Sequence, residues 1–249
     1  MRRRELSCPL FVFEMVRIRT RVRVKICGNT RVEDAVMAAR AGADAIGVIN
    51  VANTTRYVSL EEAKVIFGSL PPFVSKVVVV TLDGMSEEAV AGRIKMIEAT
   101  GADCIQLHGA EPVEFVDEIR KMVKKRMAII KKVGVGGGSN SDKRECLEHA
   151  IAYENAVDAI LLDTASGGSQ IGGTGKKHDW RISRAIVEQL NKPVILAGGL
   201  NPDNVADAVA MVKPYAVDVS SGVERELRIK DEDRVKRFIE AANSVHLHL

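Results

Sequence analysis

The chain has 249 residues, enough for two small domains but also the ordinary size of a single α/β barrel. Hydrophobic residues make up 46% and aromatics only 4%, so the core is built from Val, Ile, Leu and Ala, the composition of buried parallel strands. A formal charge of +3 is small for this length and argues against a nucleic-acid footprint, which needs a clustered basic face, yet suits a small anionic substrate. No apolar run approaches the roughly 20 residues of a membrane span.

The first twenty residues stand apart. Arg2-Arg3-Arg4 and Leu10-Phe-Val-Phe13 imitate a signal peptide, but the apolar stretch is short, Glu14 interrupts it and no small-residue cleavage site follows. Residues 1–20 are therefore expected to be a poorly ordered extension, or the natural start is Met15. Residues 21–245 are expected to form one domain. Cys8, Cys27, Cys104 and Cys146 are widely spaced, which is neither a disulfide framework nor a zinc pattern and points to a reducing cytoplasm.

From residue 21, β-branched runs alternate with amphipathic stretches. The pattern predicts a strand over 22–26 and a helix over 32–41, then 45–49 with 60–69, and 76–81 with 86–100. It continues with 104–107 and 112–125, 127–133 and 142–155, 159–162 and 180–191, 194–197 and 202–212, and 216–219 with 231–243. Ser59 before Leu60-Glu-Glu reads as a helix cap, and Asn201-Pro202 as a proline-led helix start. Eight βα units without a break in composition predict an α/β fold, a single (β/α)8 barrel. An open doubly wound sheet would need a nucleotide-type glycine fingerprint after the first strand, and Cys27-Gly-Asn-Thr30 is not one.

Barrel chemistry sits where strands end, with phosphate commonly held by the loops after strands 7 and 8. Cys27 ends the first strand, either as a small buried hydrophobe or as a base; with a free thiol pKa near ~8.5, a base there needs thiolate-favouring surroundings. Asp163 could cap a helix or pair with a buried cation. It shares the alternation of Leu161, however, which turns it inward at the mouth while Ile160 and Leu162 meet the helices. Arg56 lies in the loop after strand 2, either solvated or set against a substrate carboxylate. Gln106 and His108 share one face of strand 4 as candidate substrate-binding residues, the histidine either an acid/base group or a hydrogen-bonded structural one, and no second His or acid completes a metal site there. Gly172–Gly175, Gly198-Gly199 and Ser220-Ser221-Gly222 are glycine-bearing turns on three neighbouring loops, an expected phosphate cradle. Gly134–Gly138 lacks the lysine spacing of a P-loop and reads as a flexible connection, and His246-Leu-His248 as a loose end. Lys25 and Asp218 share the inward faces of strands 1 and 8, which predicts a buried ion pair below the site.

Taken in order, these tips resemble the phosphoribosylanthranilate isomerases of tryptophan biosynthesis. The resemblance rests on Val24-Lys-Ile-Cys-Gly28, Arg56-Tyr-Val58, Gln106-Leu-His-Gly109, Leu161-Leu-Asp-Thr164, Gly172-Gly-Thr-Gly175, Asp179-Trp180, Leu196-Ala-Gly-Gly-Leu-Asn-Pro202 and Val217-Asp-Val-Ser-Ser-Gly-Val-Glu224. It implies an Amadori rearrangement of a small phosphorylated aminoaldose, without metal or organic cofactor, by a monomer or homodimer. Asp163 would be the general acid and Cys27 the general base. Arg56 would face the anthranilate carboxylate, and Gly173, Gly198, Gly199, Ser220 and Ser221 would hold the phosphate. Two departures stand out: Asn50-Val-Ala-Asn-Thr-Thr55 precedes Arg56 in place of an aromatic residue and Ser-Pro, and His178 replaces a common phenylalanine. Histidine-pathway aminoaldose isomerases fit less well, since they pair aspartates at the tips of strands 1 and 5. Indole-glycerol-phosphate synthases, with lysine and glutamate near several tips, fit worse. A non-catalytic sensor of a phosphorylated metabolite would have no use for both Cys27 and Asp163.

Overall fold

Eight parallel strands close on themselves in the computed structural model, which describes residues 19–124, 126–136, 140–165, 178–245 and 247–248. In chain order they are β1 (Arg23–Ile26), β2 (Ala45–Ile49), β3 (Ser75–Val80), β4 (Cys104–Leu107), β5 (Ala128–Val135), β6 (Ala159–Thr164), β7 (Val194–Leu196) and β8 (Ala216–Val219). Each neighbours the next, and β1 pairs with β8, with Lys25 opposite Asp218. The predicted (β/α)8 barrel is the observed fold.

The helices form the outer layer: α1 (Val32–Arg40), α2 (Leu60–Gly68), α3 (Glu87–Ala99), α4 (Val113–Met122), α5 (Asn140–Tyr153), α6 (Trp180–Gln189), α7 (Val205–Val212) and α8 (Glu232–Asn243). Alternation along the strands divides the apolar residues between two cores. Ile160 and Leu162 join the large cluster between strands and helices, whereas Leu161 packs inside the barrel with Val77, Ile130 and Ile195. Ser59 forms a full capping box with Glu62, its hydroxyl accepting from the Glu62 N–H while the Glu62 carboxylate accepts from the Ser59 N–H.

Three expectations need correction. The seventh helix begins at Val205, not Pro202: the Asn201 side chain accepts from the Asp203 N–H and the Asn204 side chain accepts from the Asn201 N–H, holding residues 201–204 in a turn. β5 runs on through Gly134 to Val135, so the first glycine of the supposed connection lies in the sheet, opposite Asp163. Finally, Leu247–His248 is not loose but pairs antiparallel with Arg19–Thr20. Among the described residues no helix is long and apolar enough to cross a membrane.

Candidate active site

One cleft at the C-terminal mouth of the barrel is lined by Cys27, Arg56, Gln106, His108, Asp163, Gly198, Gly199, Ser220 and Ser221. The remaining residue nominated from sequence, Gly173, lies outside the described residues with the rest of its turn. Asp218 and the apolar Ile49, Val79, Ala197 and Leu200 line the same cleft.

Cys27 is set by its neighbours. Its N–H donates to the Val219 carbonyl at 2.8 Å, tying the tip of β1 to β8. Gly28 follows with φ of +68°, and a side chain there would come within 2.6 Å of Ser220 Oγ and 2.8 Å of Arg56 Cδ, so loops 1, 2 and 8 converge on it. On β2, a Cβ at Gly47 would sit 2.8 Å from Cys27 Sγ and 3.1 Å from Lys25 Cε. Gly47 thus makes the room that both side chains occupy. Beneath the thiol, Lys25 Nζ donates to Asp218 Oδ1 at 2.9 Å, the ion pair expected from the shared strand faces, with both side chains at most 10% exposed. Burial pushes the Cys27 thiol up; the Lys25 ammonium opposes this and Asp218 adds to it. Burial would lower Lys25, but Asp218 and Cys27 outweigh it and keep the ammonium charged.

Across the mouth, Asp163 Oδ1 accepts from the Thr164 N–H at 2.8 Å, and Oδ2 lies 3.6 Å from His108 Nε2. Burial pushes its carboxyl up, which favours the proton-carrying form that an acid requires. His108 is pushed down to about 3, first by burial and then by Lys132, Lys25 and Lys131, so its ring is neutral. With the Gln106 amide donating to Nδ1 at 3.2 Å, the ring hydrogen sits on Nε2, facing Asp163. A neutral imidazole makes His108 an orienting neighbour of the acid.

Arg56 has a partner that sequence reasoning missed. Its Nε and Nη2 donate to the two oxygens of Glu224 at 2.7 and 2.6 Å, leaving Nη1 as the arm directed elsewhere, 3.5 Å from Thr55 Oγ1. Lys230 Nζ also reaches Glu224, at 3.1 Å, and donates to the Ser220 carbonyl at 3.0 Å. The loop carrying Arg56 folds back on β2 through a parallel bridge from Ile49 to Tyr57. Gly198 and Gly199 take φ of +85° and +65°, turning the backbone sharply at the end of β7. Ser220 Oγ is buried in the cleft without a hydrogen-bond partner among the described residues, the state of a group awaiting a ligand. Opposed acid and thiol, with backbone turns and a free hydroxyl on one side, can move two protons on an anchored anion. Among the described residues no group of three His, Cys, Asp or Glu is placed to hold a metal ion.

The family profile of N-(5'-phosphoribosyl)anthranilate isomerase matches residues 24–241. The chain belongs to the phosphoribosylanthranilate isomerase family. An isomerase of that name from Methanocella arvoryzae is 45% identical over 88% of this chain and 96% of its own length. A solved phosphoribosylanthranilate isomerase in complex with reduced 1-(o-carboxyphenylamino)-1-deoxyribulose 5-phosphate superposes with a TM-score of 0.71 at 35% identity, covering 90% of this chain and all of its own. Monomers generated from the dimeric enzyme of Thermotoga maritima superpose at 0.72 with 34% identity and the same coverage.

Within this family the departure at His178 has a local explanation. The buried ring lies 3.2 Å through Nδ1 from Thr164 Oγ1 and 2.6 Å through Nε2 from Ser183 Oγ, so polar neighbours satisfy it. Loop 2, the other departure, is pinned by buried Asn50, whose amide donates to the Val58 carbonyl at 2.7 Å and whose side-chain oxygen accepts from Arg93. Gly47, Glu224 and Lys230 are the site residues that sequence reasoning did not nominate. Glu224 stood inside a matched motif, but nothing there pointed to Arg56.

Proposed function

We propose that this phosphoribosylanthranilate isomerase family member converts N-(5'-phosphoribosyl)anthranilate to 1-(2-carboxyphenylamino)-1-deoxyribulose 5-phosphate, a step of tryptophan biosynthesis. The carrying observation is that Asp163 and Cys27 face one cleft, with the turns at Gly198-Gly199 and Ser220-Ser221 lining it on the strands between them. Asp163 gives its proton to the furanose ring oxygen as the C1′–O bond breaks. The electron pair of that bond stays on oxygen, and the nitrogen lone pair forms the C1′=N bond of a Schiff base. Cys27, as thiolate, then takes the proton from C2′; the freed pair forms C1′=C2′ and neutralises the nitrogen. The resulting enolamine tautomerises to the ketone. Each such proton transfer contributes roughly 10²–10⁴-fold.

The remaining assignments support this chemistry. Gly198, Gly199, Ser220 and Ser221, together with Gly173, hold the phosphate. Arg56 meets the aromatic carboxylate through the arm that Glu224 leaves open, and Gln106 and His108 border the ribose beside Asp163. Cys27, Cys104 and Cys146 are free thiols, which suits a cytoplasmic enzyme, acting as monomer or homodimer.

Turnover of freshly generated phosphoribosylanthranilate by the purified protein is the test. Product formation, slowed roughly 10²–10⁴-fold in Cys27→Ala and in Asp163→Asn, is the expected result. Full activity in both variants would remove the assignments, and phosphate binding without turnover would leave a sensor.

A further inference from the structure

Three fully buried lysines are each paired: Lys25 with Asp218, Lys131 with Glu111 and Lys230 with Glu224. Lys132 differs. Among the described residues no hydrogen bond or ion pair holds its half-buried ammonium. Alternation along β5 sends Ile129 and Val133 to the outer core and Ile130 to the barrel interior, so Lys132 points inward. The next inward position is Gly134, which pairs with Asp163 across the β5–β6 ladder. A Cβ on Gly134 would stand 3.7 Å from Lys132 Nζ, so the lysine arm rises past the glycine to the level of the acid.

Among the described residues, the other groups around Asp163 offer no unpaired positive charge to answer it. His108 on β4 is neutral, and the Thr164 N–H is a dipole only. Lys25 on β1 is spent on Asp218 of β8, beside Cys27. His178, ahead of α6, faces Thr164 and Ser183. Burial pushes the Asp163 carboxyl up and the Asp218 charge adds to this, while the Thr164 N–H, Lys132 and Lys25 oppose it; the field of Lys132 also falls on His108.

We propose that Lys132 is a positioning residue of the isomerisation, its ammonium serving as the counter-charge for the carboxylate that Asp163 becomes. The inference rests on Asp163 being the acid. In that step the Asp163 O–H bond breaks, its proton goes to the ring oxygen, and one negative charge is left on β6 while the substrate nitrogen becomes positive. The ammonium lies beyond ion-pair distance of the carboxylate, so Lys132 answers that charge through its field, already in place when the charge forms.

The test uses Lys132→Met and Lys132→Arg in the full chain, both tolerated by the fold because the ammonium has no partner to orphan. Two readouts are followed: the ¹³C-NMR titration of the Asp163 carboxyl in the resting enzyme, and the pH profile of kcat and KM on phosphoribosylanthranilate. Lys132→Met is expected to raise the Asp163 midpoint by about one pH unit, a tenfold change in the protonation equilibrium. The acid limb of kcat moves the same way and KM holds. Lys132→Arg keeps wild-type values. An unmoved midpoint and limb in Lys132→Met would overturn the proposal. So would about a tenfold rise in KM with kcat and limb unchanged, since that marks a contact with a substrate anion. If wild-type protein gives no turnover, the isomerase reading has itself failed and the inference falls with it.

Discussion

At Cys27 and Asp163 burial acts in the same chemical direction, toward the protonated form, with opposite consequences for the two proton transfers. It prepares the acid and holds back the base, so the productive form, thiolate with protonated acid, is a minor share of the singly protonated pair. Below both pKa values the thiol cannot accept a proton, and above both the carboxylate has none to give. The profile of kcat/KM is therefore a bell whose limbs belong to the pair. Its acid limb is expected above the ordinary aspartate value of about 3.9, and a limb at or below that value would show that Asp163 is not the acid. Replacing Cys27 by Ala or Asp163 by Asn should each lower kcat by roughly 10²–10⁴, with a smaller effect on KM in steady-state kinetics.

At the scale of elements, strand parity carries the information. The period of two along 159–163 was enough to turn Asp163 inward, and the same rule applied to Lys25 and Asp218 brought two residues 193 apart in sequence to a 2.9 Å contact. Parity gave no access to Glu224, which leaves the barrel in a short 3-10 turn (Ser221–Val223) before meeting Arg56, 168 residues away. Gly134 is not legible as a strand residue because glycine usually punctuates a strand, whereas here it pairs with Asp163 inside the β5–β6 ladder. Two substitutions separate scaffold from site. Gly47→Ala drives a methyl group into Cys27 Sγ and should depress kcat, with about 1–3 kcal/mol of overpacking cost in urea denaturation. Ser59→Ala removes the α2 cap and should cost about 1 kcal/mol with activity intact.

For the whole molecule, closure at β1–β8 matters most. Lys25→Met or Asp218→Leu alone strands a buried charge and should cost ~3–5 kcal/mol of unfolding free energy. The double variant should recover much of this, since an apolar pair needs no counter-charge. Acid should weaken the fold through two neutral histidines. Burial takes His108 to about 3 and His178 to about 4, whereas an unfolded histidine titrates near 6.5. As pH falls below that value the unfolded chain binds protons that the folded chain refuses, so stability drops toward pH 4. The loss should be shallower in His178→Phe, measured as urea midpoints at pH 7 and pH 5.

The Lys25–Asp218 clasp also sets an order of events during synthesis. Lys25 leaves the ribosome with the first strand and waits for its counter-ion until the eighth has been made. A nascent chain that collapsed its early strands into a dry core would trap a bare ammonium there. Premature closure is thereby penalised, and the cradle of Cys27 is completed only when the last strand docks.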